Sequence, residues 1–166
     1  MKVEHLKPFV ESVIETFGSM LDCPVKNGKP FVSKDDDQSN DIIGVIGLTG
    51  TAQGTVALKF PVKTALTVVG RMVGTEFKEV DTSIADGVGE LVNIIAGNAK
   101  VKFKGHKISI SLPTVVRGGV YKLNFPAAVR MTVPFTGGLG DFEILVSFKP
   151  VAVEEKEAVH AGVNCG

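Results

Sequence analysis

The chain has 166 residues, enough to bury one substantial core. Its 18 basic and 18 acidic side chains cancel, which excludes the basic excess of a dedicated nucleic-acid binder while leaving room for a local charged patch that meets one protein partner. The cysteines, Cys23 and Cys165, have no CxxC spacing, so neither a disulfide framework nor a cysteine zinc site is expected, and a reduced cytosolic setting fits.

The opening MKVEHLKPFVESVIETF carries charges throughout and has no apolar core of a signal peptide. Leu6, Phe9, Val10, Val13, Ile14, Phe17, Met20 and Leu21 recur at spacings of three and four, which predicts a helix from Val3 to Leu21. Pro8 either falls in its first turn or bends it. The polar stretch from Asp22 to Asn40 reads as a loop with room for one short strand, and its acidic run Asp35, Asp36 and Asp37 as a solvated segment rather than a metal site.

Ile42 to Thr49 and Gln53 to Phe60 form the clearest hairpin, turning around Gly50, Thr51 and Ala52. Its glycines, Gly44, Gly47, Gly50 and Gly54, suit a hairpin and not a membrane helix. A soluble, cytoplasmic protein without a membrane partner is expected. In the second strand Val56, Leu58 and Phe60 alternate with Thr55, Ala57 and Lys59, the pattern of a half-buried strand. Pro61 and Gly74 bracket a helix with Leu66, Val69, Met72 and Val73 on its inner face.

A longer helix is predicted over Ser83 to Val101, with Ser83 and Asp86 resembling a capping box. Strands dominate the remainder. Ile108, Ile110 and Leu112 alternate with serines, Val129, Met131 and Val133 with Arg130 and Thr132, and Phe142, Ile144, Val146 and Phe148 with Glu143, Leu145 and Ser147. Tyr121 to Phe125 is a further candidate strand. Together these elements predict an α+β fold, an antiparallel β-sheet with helices packed on one face. One domain is expected over residues 1–150, with a mobile tail over residues 151–166.

At 100° per residue, Ile84, Val88, Leu91, Val92, Ile95 and Ala99 fall on one side of the long helix. Asp86, Glu90, Asn93, Gly97 and Lys100 fall on the other. Gly87, Gly89 and Gly97 cost helix propensity, which close packing against the sheet or another chain would explain. The E-x-x-N pair of Glu90 and Asn93 is by itself a common chance pairing and equally fits a solvated polar face. His5, His106 and His160 share no metal-ligand spacing, Cys23 has no local histidine or aspartate, and no G-x-S-x-G turn is present, so no metal site or covalent nucleophile is expected.

Asp86, Glu90 and Asn93 stand as D-x-x-x-E-x-x-N inside DGVGELVNIIAGNAK, and this resembles the signature of the CheC/CheX family of chemotaxis phosphatases. VEHLKPFVESVIETFGSML is similar to that family's opening helix, and GTVALKFPVKTALTVVGRMVG to its strand-to-helix segment. The strands after ISISLPTVV are similar to the rest of its sheet. The family pattern continues to a proline. Pro113 is the counterpart here, but the 19 residues between it and Asn93 make a shorter interval than the family's.

The resemblance implies a two-component signalling enzyme that hydrolyses the aspartyl phosphate of a CheY-like response regulator. It implies that Asn93 positions the attacking water and that Glu90 pairs with the receiver's active-site lysine. Asp86, Gly97 and Lys100 would border the docked partner, and Lys104 would extend the polar face. The enzyme would need no cofactor of its own, because Mg²⁺ comes with the receiver substrate. CheC is similar to two such halves with two motifs. Here Glu11 is followed by Ile14 where asparagine would stand, so one site per chain is expected. A homodimer formed by strand exchange or sheet continuation is also implied. The alternative is a non-catalytic module that binds receivers or builds a flagellar-switch-type assembly.

Overall fold

The computed structural model describes residues 2–33, 41–118 and 129–151. The acidic run at Asp35, the candidate strand at Tyr121, His160, Cys165 and all but the first residue of the expected tail lie outside them. In chain order, a short 3₁₀ turn at Val3–His5 leads into α1 (Lys7–Met20), β1 (Val25–Asn27), β2 (Phe31–Val32), β3 (Ile42–Gly50) and β4 (Ala52–Phe60). Then come α2 (Val62–Val73), α3 (Thr82–Lys100), β5 (Ile108–Ile110), β6 (Thr114–Arg117), β7 (Met131–Gly137) and β8 (Phe142–Pro150). All the strands join one antiparallel sheet in the order β1-β7-β8-β4-β3-β5, with β2 also on β7 and β6 also on β3.

Pro8 lies in the first turn of α1, where its missing N–H costs nothing. The buried stripe of α1 is rotated from the predicted one. Ser12 and Thr16 are buried with Phe9, Val13 and Phe17, whereas Ile14 and Met20 are exposed. Ser12 can be buried because its hydroxyl donates to the Pro8 carbonyl at 2.7 Å.

The β3–β4 hairpin turns at Thr51, flanked by Gly50 at φ 112°. A side chain at position 50 would run into the Lys107 carbonyl as well as strain the backbone. The turn is fastened there: the Thr51 N–H donates to Lys107 O at 3.0 Å, and the Thr51 hydroxyl lies 3.1 Å from His106 Nδ1. Gly74, at φ 72°, ends α2 with its N–H bonded to Gly70 O.

Ile42, Ile46, Val56, Leu58, Phe60, Ile144, Val146, Val133 and Phe135 line the sheet face that meets the helices. The other face departs from the half-buried expectation. Ile43, Ala57 and Leu145 form a second small cluster there, and Thr55, Lys59, Thr132 and Ser147 are buried as well. Lys59 tolerates this burial because its ammonium lies 3.5 Å from Asp41 and 3.7 Å from Glu143.

Three further expectations need adjustment. The loop after α1 carries two short strands, both borrowed onto β7. The strand expected at Val129 begins at Met131 and runs on through Pro134 to Gly137. β5 stops at Ile110 because Ser111 turns to bond Gly47, and β6 follows as an extra strand on β3.

The aromatic end of the core is closed by histidines. The His5 ring lies tilted against Phe148 with centroids 4.9 Å apart, and His106 meets Phe103 and Phe148 edge-on. Burial lowers the His5 pKa from 6.5, opposed by Glu4 and reinforced by Lys2 and His106. A lowered folded-state pKa means that the unfolded chain takes up this proton first. Stability should therefore decline as pH falls from 6.5 through the folded value and level off below it. His5→Phe, which keeps a ring on Phe148, should flatten that part of a urea-midpoint-against-pH curve; an unaltered slope would assign it to other groups.

Candidate functional site

α3 is started by Asp81, not by the predicted Ser83–Asp86 box. The Asp81 carboxylate accepts the Ile84 N–H at 3.2 Å, and Ser83 is already inside the first turn. This frees Asp86 from any capping duty and leaves it exposed one turn further on.

The inward face of α3 is sealed. Ile84, Val88, Leu91, Val92 and Ile95 are all fully buried, each worth about 1.5–3 kcal/mol. They lie on β3 at Gly44, where a Cβ would come within 3.0 Å of Val92 and 3.1 Å of Val88. The helix is thus seated closely on the strand, and its rotation about its own axis is set.

That rotation decides what faces out. Asp86, Glu90 and Asn93 are exposed, and Gly97 and Lys100 are half-buried. Among the described residues, no hydrogen bond or ion pair holds the side chain of Asp86, Glu90 or Asn93. Lys100 stands in the last turn, where a cation suits the helix dipole. Lys104 is exposed beyond it.

Two walls flank this ridge. On one side α2 closes on Gly87, where a Cβ would lie 2.7 Å from Val69 Cγ1. On the other, Pro113 packs against Gly89, where a Cβ would lie 3.6 Å from the proline Cγ and 3.4 Å from Val115 Cγ2. Gly89 and Asn93 are one turn apart, about 40° around the helix axis. Pro113 therefore stands on the Asn93 side of the ridge, despite its short sequence interval. The resemblance singled out Pro113 as the proline of the family pattern but gave no role for the loop that carries it. The available signal was the break in alternation at Leu112–Pro113.

The three α3 glycines differ in cause. Gly87 makes room for α2, a Cβ on Gly89 would make ordinary contact with the Pro113 loop, and a Cβ on Gly97 would meet nothing within 4 Å. The fold itself has no use for a missing side chain at that position.

Other candidate groups do not gather here. Glu11 is taken up by surface ion pairs with Lys7 at 3.8 Å and Lys102 at 3.9 Å. Cys23 is buried in the core. Among the described residues, no group of three or more His, Cys, Asp or Glu could hold a metal ion. No helix of the described residues is long and apolar enough to cross a membrane. A cleft of about 510 Å³ beside Arg71 and Phe77, and one of about 230 Å³ beside Lys59, lie away from Glu90 and Asn93. The candidate site is a ridge open to a macromolecule.

The helix-backed antiparallel sheet is the fold of a class of CheC/CheX-like chemotaxis proteins. The family model for chemotaxis phosphatase CheX matches residues 42–136. A protein from Thermotoga maritima known as CheY-P phosphatase CheX is 30% identical over 153 residues, covering 90% of this chain and 98% of its own. A CheC-like superfamily protein from Shewanella sp. PV-4 superposes with a TM-score of 0.80 at 28% identity, covering 90% of this chain and 99% of that one. The CheX of the CheX–CheY–BeF₃–Mg²⁺ complex from Borrelia burgdorferi shares the fold, with a TM-score of 0.76 at 23% identity over 89% of this chain and 99% of that one. The chain belongs to the CheX family of chemotaxis phosphatases.

The glycine contrast is open to test by chemical denaturation. Gly97→Ala should stabilise the protein by about 0.5–1 kcal/mol, the helix-propensity gain alone. Gly87→Ala should destabilise it by about 1 kcal/mol or more, because Val69 is fully buried and has no room to retreat. Equal effects from both would remove the distinction.

Proposed function

We propose that this chain hydrolyses the aspartyl phosphate of a CheY-like response regulator by placing one water molecule with Asn93. The observation that carries the proposal is the exposed Glu90–Asn93 pair, which no described side chain engages, on a helix whose rotation is fixed by its buried face.

An aspartyl phosphate is a mixed anhydride and already reactive. The receiver brings its own Mg²⁺ and lysine, so the phosphatase need supply neither a metal nor a covalent nucleophile. Its work is positioning. The Asn93 amide accepts a hydrogen bond from the water with its oxygen and donates one toward a phosphoryl oxygen with its nitrogen. The water oxygen bonds to phosphorus as the acyl P–O bond breaks, the receiver's carboxylate departs, and inorganic phosphate leaves with the water's oxygen. A carboxylate at that position would repel the anionic centre.

Glu90, one turn back on the same face, pairs with the receiver's lysine and holds the helix in register. Asp86, Gly97 and Lys100 border the docked receiver, and the bare backbone at Gly97 admits close approach. The chain acts as a homodimer in this reading. Among the described residues, β1, β2, β5 and β6 pair only inward, which leaves sheet edges for a second copy to extend. Sedimentation at micromolar concentration checks that part.

The decisive assay is phosphate release from phosphorylated CheY-like receivers with and without the protein. Asn93→Ala should lower the stimulated rate on the order of 100-fold or more while leaving receiver affinity nearly unchanged. Retained activity would defeat the water-positioning role. Glu90→Ala should weaken both affinity and turnover, affinity by roughly tenfold or more. Phosphorylation-dependent binding without any release would make the protein a receiver-binding module instead.

A further inference from the structure

Among the described residues the most exposed large apolar side chain is Leu112, at 87%. Its backbone is not loose. The Ser111 N–H donates to Gly47 O at 2.9 Å, the Gly47 N–H donates to Ser111 Oγ at 2.9 Å, and that hydroxyl donates to Leu112 O at 3.0 Å. On the other side Pro113 rests on Gly89 of α3, and Thr114 enters the sheet opposite Val45. A residue before proline is confined to extended backbone. Leu112 is therefore held outward by bonds on both sides.

A single exposed leucine is ordinary on a protein surface. This one differs by its place. Its neighbour Pro113 touches Gly89, one turn before Asn93, on the wall of the ridge opposite α2. The ridge itself is polar, and polar contacts at an interface give register and selectivity more than net affinity, because both partners lose water. An apolar side chain on backbone already fixed in place adds affinity without the cost of ordering a loop.

We propose that Leu112 is the apolar anchor by which the phosphorylated receiver docks beside the Glu90–Asn93 ridge. The inference rests on the phosphatase reading above and names the contact surface that serves it. It requires an apolar patch on the receiver next to its phosphorylated aspartate. Leu112 does not reach the reacting atoms. It contributes equally to the bound substrate and to the transition state, so its loss is seen in KM and not in kcat.

The test uses the full chain, its Leu112→Ser and Leu112→Met variants, and a panel of CheY-like receivers from the same genome. Phosphate release is measured for KM and kcat, and affinity is measured separately on beryllofluoride-charged receiver. Leu112→Ser should raise KM and Kd roughly tenfold or more, with kcat and thermal midpoint unchanged. Leu112→Met should restore most of the affinity. Unchanged KM and Kd in Leu112→Ser would overturn the anchor, as would a fall in kcat alone. So would a change in sedimentation, which would assign Leu112 to contact between copies of this chain. A wild type that binds charged receiver but releases no phosphate defeats the phosphatase reading and leaves Leu112 to be judged on Kd. A wild type that binds no receiver overturns both.

Discussion

The seating of α3 on β3 governs everything else in this molecule. Val88 and Val92 come down on the bare backbone of Gly44, and Ile84, Leu91 and Ile95 fill the space on either side. A methyl group at position 44 would press on both valines and on the Val88 carbonyl, which would have to give by a few tenths of an ångström. With the helix down, each residue's direction is settled by its number alone. The outward ridge is what remains once the apolar positions have been satisfied, and its placement costs the protein nothing further.

The sheet beneath is unusually well supported for one with helices on a single face. Its central strands also bury Ile43, Ala57 and Leu145 on the far side, and Lys59 is held there between two carboxylates. A surface buried on both sides is close-packed and yields little to load. Such stiffness would serve the positioning role proposed for Asn93, where a displacement of an ångström loses rate.

The regular parts of this architecture were legible in the chain and the irregular parts were not. The β3–β4 hairpin, α2 between Pro61 and Gly74, and β8 are elements of nine or more residues with strong local patterns, and each appears where expected. The polar face of α3 followed from the same arithmetic, so Asp86, Glu90 and Asn93 came out on the surface. β1, β2 and β6 have four residues or fewer and exist only by pairing with a longer neighbour, which no local pattern announces. The rotation of α1 was misjudged because Ser12 satisfies its own hydroxyl within the helix and so behaves as a small apolar residue. The Pro113 wall depends on a contact between segments 24 positions apart, beyond any periodicity argument.

Carrying Glu90 and Asn93 on one helix has a consequence for how this surface changes over time. Their separation belongs to a rigid ruler and not to a loop. Insertions or deletions in the connecting segments leave the ruler untouched, so sequence drift there is tolerated while the two marks keep their spacing. A single residue added between the marks would swing one of them about 100° away from the other. Adjustment to a different docking partner would then fall to the side chains of the walls on either side.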